Sequence, residues 1–387
     1  MAITGDQRLL KRINRMALVR LVRSQPGLSR AELSVLTGLT KSTVSLLVQE
    51  LIDESWLRED LVLVTGAIGR RPTPLRLDGR RLVMIGVELG VGNLCVVSMS
   101  LDGEVVASVQ QSVSSPEHVD EVLETLAELI ALQVQEQRAA GRELLGIGVG
   151  VPGAVMELTG VLAVAPNLGW RDVPLREALQ AALARKGVTD LALFVQNDGD
   201  VAALGEVEFA STPVADPLLY IGLGIGVGSG LVVGGRLLLG GRGFAGEIGH
   251  IQQQADGPLC SCGRHGCAEA FFGLQAMANR LGCSIEMLET RAHAGEESAR
   301  ALLAEAGRHL GVLMHNLWTT LDPAVIVLGG PACRLGDAFL APARACFGKL
   351  AHAAHLEIPP VVEARFGDLA VPAGAAALVL HKLLLPI

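Results

Sequence analysis

The segment PLLYIGLGIGVGSGLVVGG, Pro217 to Gly235, is uncharged and about as long as a bilayer-spanning helix, yet its glycines rule that helix out. Gly222, Gly224, Gly226, Gly228 and Gly230 alternate with mostly apolar residues at period two. That is the spacing of a strand and tight turn, and in a helix each glycine would cost roughly 1 kcal/mol. RLVMIGVELGVGNLCVVSMSLDGEVVASVQQSV, from Arg81, reads in the same way as three strands joined by Gly/Asn and Asp-Gly turns. A helix from about His118 to Ala139 and a strand, LLGIGVGVP, follow it. Further on, LALFVQNDGDVAALGEVEF reads as strand, polar turn and helix, AVIVLGGP as a strand with a glycine turn, and AGAAALVLHKLLL as a closing helix. Strands in groups of three followed by helices, occurring twice, predict a duplicated α/β body with a cleft between two lobes.

Charge separates a head from this body. The first 81 residues hold 14 Lys/Arg against 8 Asp/Glu, which leaves 18 against 32 of the chain's totals of 32 and 40 for the rest. A basic head on an acidic body points to a polyanion met by the head alone. No apolar run follows the N-terminal charges, so neither a signal peptide nor a membrane is expected, and the predicted location is the cytoplasm. Seven cysteines, an odd number with three of them clustered, fit reduced thiols plus a metal site better than a disulfide framework.

Within the head, DQRLLKRINRMALVRLVRSQ places apolar residues mostly on one helical face until Pro26 and Gly27 stop it. Ser29 and Glu32 form a capping box that opens a short helix ended by Gly38. Thr40 then caps KSTVSLLVQELIDESW, where Val44, Leu47, Val48 and Leu51 make the buried stripe and Lys41, Ser42, Thr43 and Ser45 stay at the exposed N-terminal end. Two short helices joined by a glycine turn make a helix-turn-helix. Strands in LREDLVLV and PTPLRLD around TGAIGRRP would add a wing with Arg70 and Arg71 at its tip, suited to a minor groove or phosphates. Lys41, Ser42, Thr43, Ser45, Arg70 and Arg71 are therefore the candidate DNA-contacting residues.

CSCGRHGCAE, Cys260 to Glu269, carries the metal candidates. With His250, the thiols of Cys260, Cys262 and Cys267 supply one nitrogen and three sulfurs, the number and softness for a tetrahedral Zn²⁺. Four protein ligands close the shell and leave no place for a reacting water, so such a zinc would be structural. Free buried thiols are the alternative, and His265 is a rival fourth ligand. Cys95, Cys283, Cys333 and Cys346 are scattered and read as core residues.

Taken together, RINRMALVRLVR, SRAELSVLTGLTKSTVS and GRRPTPLRLD in the head, with GVPG, APNLGW, QND, GEIGH and the cysteine loop in the body, resemble the ROK family of repressors, open reading frames and kinases over nearly the whole chain. The resemblance implies a winged helix-turn-helix over residues 1–80 and an actin-like, ribonuclease-H-like ROK domain over 81–387. One lobe would run from about 81 to 198 with the C-terminal helix, and the other from 199 to 370. It implies a hexose held between the lobes by Gly153, Asn167, Asn197, Asp198, Glu247, His250 and Glu269, with Asp198 at the place of the kinases' general base. The spacing His-x9-Cys-x-Cys-x4-Cys matches the family's zinc loop, which favours His250 over His265 and places Glu247 and Glu269 beside the metal.

Kinases of the family resemble one another in a phosphate loop of the form Asp-x-Gly-Gly-Thr, where this chain has ELGVGN, Glu88 to Asn93. Their second loop, Leu-Gly-Thr-Gly-x-Gly-Gly-Gly, is here LGIGVGSG, with Ile225 in place of the threonine. An apolar β-branched side chain cannot bond a phosphate oxygen, so the expected function is a sugar-responsive regulator, most often a repressor in this family, that no longer binds ATP. It would act as a homodimer or dimer of dimers on a palindromic operator, with a sugar kinase carrying an accessory DNA-binding head as the alternative.

Overall fold

The computed structural model describes residues 7–60, 73–210, 212–353 and 355–385. The expected wing tip, with Arg70 and Arg71, lies outside the described residues.

The head starts with α1 (Gln7–Ser24), α2 (Arg30–Thr37) and α3 (Lys41–Asp53), followed by β1 (Leu57–Glu59) paired antiparallel with β2 (Leu75–Leu77). Both arms of the Ser29–Glu32 capping box are made, Gly38 closes α2 at φ 71°, and the Thr40 hydroxyl accepts from the Thr43 amide. α3 stops at Asp53, short of the expected Trp56, because Ser55 at φ 62° turns the chain toward β1. Leu18, Val19, Val22, Leu33, Val44, Val48 and Leu51 are fully buried, in one apolar cluster that runs on into the body through Met84, Val97 and Leu378.

The body opens with β3 (Leu82–Leu89), β4 (Asn93–Ser100), β5 (Val105–Ser112), α4 (Val119–Ala139) and β6 (Glu143–Val151). β7 (Ala154–Met156), β8 (Val161–Ala165), β9 (Trp170–Val173), α5 (Leu175–Arg185) and β10 (Leu193–Asn197) complete the first lobe. Its sheet runs β10-β6-β3-β4-β5, with β4 antiparallel to both its neighbours and β6 parallel to both β3 and β10. α6 (Asp198–Glu208) leads into the second lobe, β11 (Leu218–Leu223), β12 (Val227–Val233) and β13 (Arg236–Leu237), then α7 (Glu269–Phe272), α8 (Leu274–Arg280), α9 (Ile285–His293) and α10 (Glu297–Leu321). β14 (Val325–Gly329), α11 (Asp337–Ala353), β15 (Val361–Glu363) and α12 (Ala370–Leu384) end the chain.

The second sheet runs β13-β12-β11-β14-β15, the same order and strand senses as the first. This is the duplicated α/β body predicted from the glycine pattern. The bilayer-length segment is the β11–β12 hairpin, in register Leu218↔Val232 to Leu223↔Val227. Among the described residues, only Gly367–Leu384 is helical, long and apolar enough to cross a membrane, and 67% of it is buried. A third sheet, β7-β8-β9, carries the GVPG and APNLGW motifs and was not anticipated.

α12 lies against β3 and β6, α6 lies against β11 and β12, and the two helices cross each other. Their backbones touch at the crossing: a Cβ on Gly374 would stand 2.0 Å from the Val201 carbonyl oxygen, and one on Gly205 3.0 Å from the Gly374 Cα. Close approach of this kind is open only to glycine. Gly374→Ala should therefore force the helices apart and destabilise by at least about 2 kcal/mol. A thermal melt should show a midpoint lowered by several degrees, whereas Gly241→Ala, with open space around its Cβ position, should leave it unchanged.

Candidate functional site

A cavity of about 300 Å³ opens between the lobes. It is lined by every residue expected to hold a sugar, Gly153, Asn167, Asn197, Asp198, Glu247, His250 and Glu269, and also by Glu88, Val91 and Ile225 of the phosphate-loop positions.

On the first-lobe side, β10 ends at Asn197, which is the N-cap of α6. Its Oδ1 accepts from the Gly199 and Asp200 amides at 2.8 and 3.2 Å, and its Nδ2 donates to the Gly153 carbonyl at 3.0 Å. Most of this amide is thus used by the chain, which leaves one Nδ2 hydrogen for a ligand. Asn167, from the β8–β9 turn, makes no side-chain hydrogen bond among the described residues and is free to use both ends of its amide. The glycine at 153 has a reason other than the close approach of a sugar ring. At φ 101° a Cβ there would stand 2.2 Å from the Val164 carbonyl oxygen, so the close packing of the β6–β7 junction against the end of β8 requires it.

Asp198, the first residue of α6, accepts from the Gly199 amide at 2.8 Å. Burial pushes its carboxyl above the usual range, and that of Asp200 well above, with the Asp198 charge adding to the latter. Burial together with the charges of Asp198 and Glu269 raises Glu247 to about 7. Glu247, partly protonated near neutrality, can donate as well as accept, which suits a neutral polyol.

Glu269 is more engaged than its sequence position suggested. Oε2 accepts from the Val227 amide at 3.0 Å and Oε1 from the Ser261 hydroxyl at 2.7 Å, while only 7% of the residue is exposed. Ser261 and the Val227 amide are site residues that sequence reasoning missed. Both lie one position from a recognised motif residue, Cys260 and Gly226, and only the fold shows that they converge on one carboxylate.

His250, Cys260, Cys262 and Cys267 come together so that their ligand atoms all lie within 4.8 Å of one another, a set that could hold a metal ion. The His250 Nδ1 is 3.5 Å from the Cys260 sulfur, and its Nε2 faces Glu247 at 3.9 Å. Burial lowers the imidazole pKa and keeps it neutral, the form that ligates metals. His265 points elsewhere, with Nδ1 3.1 Å from the Gly257 carbonyl.

In the head, Lys41, Ser42 and Ser45 are exposed at the start of α3 and Thr43 is half-buried. The Thr43 hydroxyl shares a hydrogen bond with Thr40 at 2.8 Å, which ties it to the cap.

The family profile described as ROK family matches residues 84–382, and that of the IclR helix-turn-helix domain matches residues 16–61. The xylose repressor of Caldicellulosiruptor bescii is 29% identical over 399 residues, covering 98% of each chain. Among solved structures, a ROK family transcriptional regulator homologous to the E. coli MLC protein superposes with a TM-score of 0.78, at 25% identity over 97% of this chain and 98% of that one. A ROK family glucokinase from Streptomyces griseus, in complex with glucose and AMPPNP, superposes at 0.67, with 26% identity over 76% of this chain and 98% of that one. Sequence, two-lobed fold and N-terminal head agree: this chain belongs to the ROK family.

Proposed function

We propose that the chain is a sugar-responsive DNA-binding repressor whose kinase-like body senses and does not phosphorylate. One observation carries this reading: the cleft keeps its sugar side furnished, with Asn167 unengaged and Asp198 and Glu247 facing in, while its phosphate side presents Ile225, Val91 and a carboxylate, Glu88. Phosphoryl transfer needs hydroxyl and amide donors placed on the phosphate oxygens. The family resemblance to a repressor that spans 98% of each chain supports the same conclusion.

The head would bind a palindromic operator as part of a homodimer or dimer of dimers in the cytoplasm, with Lys41, Ser42, Thr43, Ser45, Arg70 and Arg71 meeting the DNA. The sugar acts by linkage: tighter binding to one lobe arrangement shifts the population and changes how two heads are spaced. A 100-fold response needs only about 2.7 kcal/mol of differential affinity. The cysteine loop fits zinc, since the 3.8 Å between the Cys262 and Cys267 sulfurs and the 3.5 Å from Cys260 to His250 are close to the edges of a tetrahedron with bonds of about 2.3 and 2.0 Å. Bound there, the ion would perform no reaction; it would hold the loop that positions Glu247, His250 and Glu269.

ADP release measured against a panel of hexoses and pentoses should stay at background, and turnover at ordinary kinase rates would favour the sugar-kinase alternative. Chelation of the metal, or Cys260→Ala, should abolish the heat of sugar binding measured by calorimetry, and undiminished heat would separate the metal loop from the sensor. Burial and the charges of Asp198 and Asp368 raise Glu88 to about 7. A raised carboxyl stabilises the fold fully below its unfolded value near 4.5, and that contribution is lost as pH rises through about 7. Glu88→Gln should therefore stabilise the protein at pH 8 relative to wild type, by up to about 3 kcal/mol, and change little at pH 4.5. Melts at the two pH values would show this, and equal gaps at both would rule out the Glu88 titration.

A further inference from the structure

One helix end is where the head and both lobes meet. α6 is about 16 Å long, with Asn197 and Asp198 in the sugar cleft at its start and Glu208 at its finish. Glu208 is buried, with 5% of it exposed, and three elements grip this end of the helix. From the head, Arg23 of α1 pairs with the Glu208 carboxylate and donates to its backbone carbonyl at 3.3 Å. From the first lobe, His381 of α12 lies with Nδ1 2.8 Å from Glu208 Oε1. From the second lobe, Arg365 donates from its guanidinium to the Phe209 carbonyl at 2.5 Å and from its amide to Glu206 Oε1 at 2.8 Å.

The contact is costly to leave half-made. Burial and the cations Lys382, Arg23 and Arg20 push the His381 pKa down to about 4, so the imidazole is neutral. The Arg23 guanidinium is thus the one cation paired with the Glu208 carboxylate among the described residues. A buried carboxylate that loses its only cation is strongly disfavoured. The head is therefore held to α6 by a pair that is stable in one geometry and poorly tolerated in a slipped one. A cavity of about 280 Å³ beside it, bounded by Arg23, Arg58, Arg76, Asp102 and Glu208, leaves room for the head to swing.

We propose that Arg23, Glu208 and His381 are positioning residues through which the state of the sugar cleft sets the orientation of the DNA-binding head. The proposal rests on the sensor reading above. A sugar that draws the lobes together acts on the start of α6, and the stiff helix carries the displacement to the Arg23–Glu208 pair. Arg23, Glu208 and His381 all lie outside the lining of the sugar cleft and outside the expected DNA-contacting set, so their loss should uncouple the two ligands while leaving each one's own binding in place.

The test uses the full chain, a duplex from the DNA immediately upstream of its own coding sequence, and D-xylose, D-glucose and N-acetyl-D-glucosamine as probes. For wild type, Glu208→Gln and Arg23→Lys, calorimetry gives sugar affinity, and DNA titrations with and without saturating sugar give the coupling factor. Glu208→Gln keeps the shape of the side chain, removes its charge and exchanges one acceptor oxygen for a donor; Arg23→Lys keeps the charge and removes the second contact, and it serves if the first variant does not fold. The expected result is sugar and apo-DNA affinities within about threefold of wild type and a coupling factor reduced at least tenfold. Because the residues act as a unit, the double variant should be no worse than the singles. Full coupling retained in a folded variant would overturn the proposal and leave the sensor reading intact. A wild type that binds none of the three sugars would overturn the sensor reading, and the proposal with it.

Discussion

The crossing of α6 and α12 is the contact on which the rest of the molecule depends. Gly374 and Gly205 let the two backbones meet without side chains between them, and a contact of that kind has no rotamer to relax. Each helix is locked to its own lobe in the same manner. A Cβ on Gly148 would stand 1.8 Å from the Ala375 carbonyl oxygen, holding α12 on the first sheet, and one on Gly230 would stand 2.3 Å from the Gly199 carbonyl oxygen, holding α6 on the second. The lobes therefore meet across a stiff pair of helices. What lies at the helix ends, Asn197 and Asp198 at one and Glu208 at the other, moves with them.

Glu269 is a second node, and it links the two halves of the cleft. Its carboxylate is shared between Ser261 of the cysteine loop and the Val227 amide at the start of β12. Gly226 allows the approach, since a Cβ there would fall 2.5 Å from Glu269 Oε2 and 2.8 Å from Asn167 Nδ2. An unsatisfied buried carboxylate costs several kcal/mol, so the cysteine loop cannot unfold without also disturbing the loop that carries Ile225. A metal held there would act on the whole cleft through its protein ligands.

The periodicities visible in the sequence were those with strong local causes. Alternating glycines gave the hairpins, and Ser29, Thr40 and Gly38 gave the helix boundaries of the head, because caps and turns are decided within four residues. The seven cleft residues could be named because each sits in a short motif that the resemblance identified. The sequence could not show how those residues are used. Asn197 and Glu269 are largely engaged by the chain itself, Gly153 serves the packing of the β6–β7 junction on β8, and Ser261 belongs to the site. Apart from the N-cap bonds of Asn197 to Gly199 and Asp200, these facts depend on partners 8 to 44 residues away, and no local pattern encodes them. The β7-β8-β9 sheet escaped notice for a related reason: strands of 3 to 5 residues are too short for alternation to register.

The carboxylates of the cleft also bear on which ligand it accepts. Glu88, Asp198 and Glu247 line one cavity, with Asp200 buried near them, and each is pushed upward by burial and by a neighbouring carboxylate, Glu269 for Asp198 and Asp198 for the other three. Where a cation and a bound phosphate share such a site, their charges offset this repulsion. On the reading proposed above, Ile225 and Val91 at the phosphate positions would leave little to hold a phosphate there, and the mutual repulsion of the acids would go without that compensation. Raised carboxyls of this kind, with Glu88 and Glu247 both at about 7, would suit an uncharged polyol, whose hydroxyls need donors and acceptors in alternation, better than Mg²⁺. On that reading, loss of the phosphate-binding groups and retention of the acids would be compatible, since electrostatics that disfavour a nucleotide would leave the sugar side ready for binding.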